Sequence, residues 1–174
     1  SCFPKDIKAL TKIAKDKGYN ARLIYAVQEV NDAQKLVLAQ KIITRFGEDL
    51  TGFTFGIWGL AFKPGTDDMR EAPSIYMINE LVRRGAKIKA YDPKAINEAK
   101  EHYLKGVQNI TYANSKHDVL KDSDALVLLT EWKEFRSPDF DEIKSLLKSL
   151  IIFDGRNQYN SFNLEAKGFE YYQI

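Results

Sequence analysis

A doubly wound α/β fold with a mostly parallel sheet, preceded by one long helix, is what this sequence predicts. Three observations lead there. Beyond Gly52, short apolar runs alternate with amphipathic stretches, which is the rhythm of βαβ units. Those runs lack polar alternation, as in Ala125-Leu126-Val127-Leu128-Leu129, so they suit parallel strands buried on both faces. Ahead of Gly52, the stretch from Asn20 to Phe46 contains neither Gly nor Pro, while Leu23, Val27, Val30, Val37, Leu38, Ile42 and Ile43 recur at helical spacing.

Element by element, Asn20 is the N-cap candidate of the long helix and Gly47 its stop. At about 1.5 Å per residue such a helix runs roughly 40 Å, more than a small domain needs. It is expected to link domains or to pack against a second copy of the chain. The pattern then predicts a strand over 53–60, a helix over 74–84 closed by Gly85, and a strand over 87–91. Helix follows at 96–103, strand at 110–112, short helix at 117–121, strand at 125–129, helix at 139–147, and strands at 151–153 and 169–172. Residues 1–51 therefore form an N-terminal segment with the long helix, and 52–174 a sheet domain. Ligands of doubly wound sheets settle outside the C-terminal strand ends, near the switch in strand order. The turns expected there are 62–70, 92–94, 130–132 and 154–157.

Composition narrows the partners. With 174 residues, 44% of them hydrophobic, the chain holds enough apolar material for one sizeable core. Lys and Arg number 26 against 24 Asp and Glu, so no overall field recommends a nucleic acid or an anionic membrane. No apolar run approaches the roughly 20 residues of a membrane span. A single cysteine, Cys2, excludes an internal disulfide and fits a reducing, cytoplasmic setting. No metal site is expected.

The turn Gly59 to Ser74 is not the Gly-x-Gly-x-x-Gly pattern that sets a helix N-terminus against pyrophosphate, so a dinucleotide site is not expected in it. It instead carries Lys63 and Arg70 beside Asp67 and Asp68, a charge density suited to a phosphorylated ligand. A solvated charged loop reads equally well. Arg156, in Asp154-Gly155-Arg156-Asn157, either offers its planar fork to a phosphate or pairs with Asp154 on the surface. Trp132 and Phe135 either stack on a base or simply pack. Cys2 is either a frayed terminal thiol or a nucleophile set by a Pro4 turn, the Lys5 cation and the Asp6 carboxylate.

Taken together, Ser1-Cys2-Phe3-Pro4-Lys5-Asp6, Ala21-Arg22 through Val30-Asn31-Asp32, Gly59 to Ser74, Tyr91-Asp92-Pro93, Thr130-Glu131-Trp132 and Asp154-Gly155-Arg156-Asn157 resemble the UDP-glucose/GDP-mannose dehydrogenase family, in its order and at its intervals. The resemblance implies a Rossmann-like UDP-binding domain behind a central dimerisation helix. It implies oxidation of UDP-glucose to UDP-glucuronate in two steps, reducing two NAD molecules. By analogy Cys2 attacks the intermediate aldehyde, hydride leaves to the second NAD, and the thioester is hydrolysed with help from Asp6. Phe62 and Lys63 are implied at the nucleotide-sugar, Arg156 at the UDP end, Arg70, Phe3 and Lys5 near the cofactor, and Arg22 at the sugar of a neighbouring subunit. The family's N-terminal dinucleotide-binding domain, the glycines before its Ser-Cys pair and its upstream lysine and asparagine are not in this sequence. The chain thus reads as a C-terminal half, expected to bind the UDP-sugar without turnover, NAD being held mainly by the other half. Phe3 and Phe62-Lys63-Pro64 resemble the UDP-glucose branch more than the GDP-mannose branch, and Lys5 argues against UDP-N-acetylmannosamine dehydrogenases. The reading from a different class is a nucleotide-sugar-binding or dimerisation module without chemistry of its own.

Overall fold

The computed structural model describes the backbone from Cys2 to Ile174 and the side chains from Lys5 onward. Its strands are β1 (Thr54–Trp58), β2 (Lys87–Tyr91), β3 (Ile110–Tyr112), β4 (Ala125–Leu128), β5 (Ile151–Asp154) and β6 (Glu170–Gln173). All pair in parallel, in the order β3-β2-β1-β4-β5-β6, so the chain reverses its direction of winding between β1 and β4. The register sets Tyr91, Trp58, Leu128 and Asp154 side by side at the C-terminal edge. That alignment brings together turns scattered over nearly a hundred positions of sequence: 59–70, 92–94, 130–132 and 154–157.

Alternation along β1 shows how the sheet is covered. Phe55 meets Phe46 edge-on, with ring centroids 5.2 Å apart. On the other face Trp58 stacks on Phe135 at 5.0 Å. Gly56 is there because a Cβ would come within 2.8 Å of the Val119 carbonyl. Helices α3 (Val37–Phe46) and α4 (Pro73–Arg83) lie on the Phe55 side, and α6 (Lys116–Leu120) and α7 (Phe140–Leu146) on the Trp58 side. Between β2 and β3, α5 (Ile96–Glu98) runs on into a π turn, Ala99–Tyr103. β4 and β5 are buried at every position, as their unbroken apolar runs require.

Two expectations at the N-terminal end are corrected. The segment Phe3-Pro4-Lys5-Asp6 is not a proline turn; it opens helix α1 (Cys2–Asp16), whose first turn tolerates a residue without an N–H. The stretch from Asn20 to Phe46 is not one helix. It divides at Lys35-Leu36 into α2 (Arg22–Gln34) and α3, where the Leu36 N–H turns to the Ala33 carbonyl at 3.1 Å. The halves serve different surfaces. α3 buries Leu38, Ala39, Ile42 and Ile43 in the same core as the sheet, whereas α2 buries no residue and packs with α1 as a hairpin through Gly18. A straight rod would follow one surface and leave the other.

Candidate nucleotide-binding site at the strand ends

Two buried carboxylates organise the C-terminal edge. Asp92, 1% exposed, directly follows β2 and accepts five hydrogen bonds. One oxygen takes the N–H groups of Leu60 at 2.7 Å and Ala61 at 3.0 Å with Trp132 Nε1 at 3.0 Å; the other takes Lys94 and Ala95 N–H at 2.8 Å. In a dinucleotide-binding sheet the amides after the first strand face pyrophosphate, and the acid after the second faces a ribose. Here that acid is folded onto those amides. The residues of this turn therefore do not fit NAD, whatever other contacts the chain makes to it.

Asp154, fully buried at the end of β5, does the same for the last turn. It accepts from the Arg156 and Tyr159 N–H groups and the Tyr171 hydroxyl, each at 2.9 Å. The Arg156 side chain goes elsewhere: Nε and Nη2 donate to the two Glu131 oxygens at 2.5 and 2.9 Å. The alternative of a surface pair with Asp154 is thus replaced by a fork on the β4 turn, while Asp154 is taken up by two backbone N–H groups and the Tyr171 hydroxyl. Burial, the largest single influence, pushes the Glu131 carboxyl up, but the Arg156 bonds, its own backbone N–H and the charges of Arg156 and Arg136 together hold it below its usual range.

The 59–72 loop is a closed lobe. Gly59 has φ +93°, and a Cβ on it would strike Thr130, whose hydroxyl donates to the Ala61 carbonyl at 2.6 Å. Phe62 N–H closes the lobe on the Asp68 carbonyl at 2.9 Å. Arg70 forks onto Asp68 at 2.9 and 2.7 Å, which holds that carboxyl well below the usual carboxylate range.

A cleft of about 180 Å³ opens over this edge beneath the α2–α3 break, with Phe62, Arg156, Lys35, Glu71, Asn31 and Leu129 on its walls. Phe62 and Arg156 thus line one cleft. Lys63 is exposed one residue beyond the wall and, among the described residues, has no hydrogen-bond or ion-pair partner. Arg70 stands on the same lobe. Lys5 and Asp6 are exposed in the first turns of α1, and Arg22 is exposed at the start of α2; none of the three lines the cleft. Cys2 and Phe3 have side chains outside the described residues. Trp132 and Phe135 are buried packing residues rather than free stacking platforms. Sequence reasoning missed Lys35, Glu71 and the role of Glu131. Asn31 lay inside a segment already singled out, but nothing local distinguished Lys35 from other helix-surface lysines.

The UDP binding domain of the UDP-glucose/GDP-mannose dehydrogenase family matches residues 56–161, and that family's central domain matches residues 1–33. A UDP-glucose 6-dehydrogenase of Pseudomonas aeruginosa is 40% identical over the whole chain, which covers 39% of its length. One from Bacillus subtilis is 41% identical, again over the whole chain and 37% of its own length. Among solved structures, a UDP-glucose dehydrogenase from Pyrobaculum islandicum superposes with a TM-score of 0.81 at 28% identity, covering all of this chain and 37% of that one. The chain thus spans about two fifths of the length of the curated relatives it matches. With the family's UDP binding domain matching the sheet that carries the cleft, and its central domain matching the helices before it, this chain belongs to the UDP-glucose/GDP-mannose dehydrogenase family.

Proposed function

We propose that this chain is the nucleotide-sugar-binding part of an NAD-dependent dehydrogenase that oxidises UDP-glucose to UDP-glucuronate, and that it binds UDP on its own without turnover. The observation that carries the reading is the meeting of Phe62, Arg156 and the 59–72 lobe at one strand-end cleft, in a chain whose relatives over its full length are UDP-glucose 6-dehydrogenases. The Arg156 fork suits the diphosphate once it is shared with Glu131, and the exposed Lys63 adds a point charge. Lys5, Phe3 and Arg70 are proposed toward the cofactor. Cys2 is proposed as the nucleophile toward the sugar aldehyde, and Asp6 as the carboxylate that manages the proton and the water that follow. NAD supplies the hydride acceptor; because the amides after β1 do not fit its pyrophosphate, its main seat is proposed outside this sheet, with Arg70 facing it from the lobe.

A homodimer through the first helices completes the proposal. α2 is amphipathic yet buries nothing, with Leu23 at 75% and Val30 at 67% exposure, and Ile13 of the neighbouring α1 is 59% exposed. A second copy is the proposed cover, and it would bring Arg22 to the neighbouring site.

Calorimetry of this chain with UDP and with GDP is the test. UDP is expected to bind the more tightly, and Lys63→Ala and Arg156→Ala to weaken it by roughly 1.5–3 kcal/mol each, the worth of hydrogen bonds to a charged group. Equal affinity for GDP would move the chain to the GDP-mannose branch, to which a solved structure of 0.65 TM-score and 25% identity belongs. UDP bound equally by both variants would remove these residues from the site.

A further inference from the structure

The turn from Met69 to Ala72 is closed by the Ala72 N–H donating to the Met69 carbonyl at 3.0 Å, and its third residue, Glu71, has φ +58°. Glycine or asparagine is favoured there, since other L side chains rarely adopt the left-handed region. A glutamate is locally the wrong residue, and such a conformation persists only where the surroundings over-determine it. The surroundings are three donors from three separate parts of the chain. Lys8 of α1 reaches Oε1 at 2.6 Å, and Lys35 at the α2–α3 break and Tyr76 of α4 each reach Oε2 at 2.7 Å. Lys35 also donates to Asp32 at 2.9 Å and lies 4.3 Å from the centre of the Tyr76 ring, with its side chain only 8% exposed.

Helix α1 needs such an anchor. Between Lys5 and Asp16 Ala14 alone is buried, so apolar packing does little to hold this helix against the sheet domain. Among the described residues, the polar tie from α1 to that domain is the Lys8–Glu71 pair. We propose that Glu71 is a positioning residue, whose carboxylate fastens the Cys2-bearing helix α1 and the α2–α3 break to the loop carrying Phe62, Lys63 and Arg70. The strain at φ +58° is held by the clamp, and the break in the predicted long helix is what delivers Lys35 to it. Lys35, then Lys8 and Tyr76, hold the Glu71 carboxyl down at about 2. The significance of the clamp rests on the dehydrogenase reading: it would keep the reactive segment at a set distance from the bound nucleotide-sugar, as chemistry between oriented partners requires.

Amide hydrogen exchange of this chain, read without ligand, tests the clamp separately from that reading. At pH 7, Glu71→Gln and Glu71→Gly should each speed exchange in residues 5–16 by about tenfold, while β1, β4 and β5 keep their protection. Lys8→Met, which leaves Glu71 with Lys35 and Tyr76, should loosen α1 alone. In the unaltered chain α1 should stay protected at pH 5 and lose protection toward pH 2, as Glu71 is protonated facing Lys8, Lys35, Tyr76 and the Asp32 carboxylate beyond. Wild-type protection in Glu71→Gly would mean that the position serves only its turn, and would overturn the proposal. So would an α1 indifferent to Lys8→Met, a readout that stands even if the Glu71 variants unfold. Failure of UDP to bind would instead sink the functional reading and leave the clamp in place.

Discussion

At the scale of single residues, the candidate site is built by buried carboxylates that bond to the protein's own donors. Asp92 gathers five donors from the β1 turn, its own turn and Trp132, and Asp154 gathers three from the last turn and β6. Asp92→Ala would leave those donors without an acceptor, at about 1–3 kcal/mol for each that water does not reach. The expected loss is therefore at least about 3 kcal/mol, read from urea unfolding, with UDP affinity falling as the lobe carrying Phe62 and Lys63 loosens. A loss under about 1 kcal/mol would show that water replaces the carboxylate and that the lobe holds itself. Asp92 and Asp154 were visible in the sequence as members of motifs. Their inward direction was not, because a strand-end acid reads the same whether it meets a ribose or an amide.

At the scale of elements, the division of the 20–46 stretch separates two fates for apolar residues of one periodicity. Ile42 of α3 is fully buried among sheet residues, while Val30 of α2 is 67% exposed. Ile42→Ala is expected to cost about 2–5 kcal/mol of stability and to leave self-association unchanged. Val30→Glu is expected to leave stability nearly unchanged and to shift sedimentation from dimer to monomer. A wild-type chain that sediments as a monomer at high concentration would remove the proposed dimer, and with it any reach of Arg22 to a second copy. Periodicity alone could not tell these residues apart. It reports that one helix face is apolar, but not whether the same neighbour covers it throughout.

For the molecule as a whole, acid is the condition that tests its electrostatics. Asp68, Glu71, Glu80 and Glu131 all have carboxyls held below their ordinary range by lysine or arginine partners. A depressed carboxylate contributes stability that is present above its unfolded pKa, near 4 to 4.5, and lost as pH falls through the folded value. Thermal midpoints should therefore be nearly flat from pH 7 to 5 and fall from about pH 4.5 downward, with Glu71 titrating at about 2 and Asp68 lower still. High salt should shrink the part owed to the exposed pairs, such as Arg70 with Asp68. A midpoint unchanged between pH 5 and pH 3 would mean that these pairs add nothing to folding.

The sequence by itself determined the parallel sheet, most strand and helix positions and the four turns at its C-terminal edge. Those properties are local, carried by apolar periodicity, by Gly85 closing α4 and by Pro73 opening it. Only the tertiary structure decided the strand register that aligns Trp58, Tyr91, Leu128 and Asp154, the pairing of Arg156 with Glu131, and the convergence of Lys8, Lys35 and Tyr76 on Glu71. Each of these joins residues far apart in the chain, and an ionic side chain carries no local mark of which of several opposite charges it will meet. That choice follows from how the sheet twists and where the helices lie on it, so it becomes readable once the core has packed.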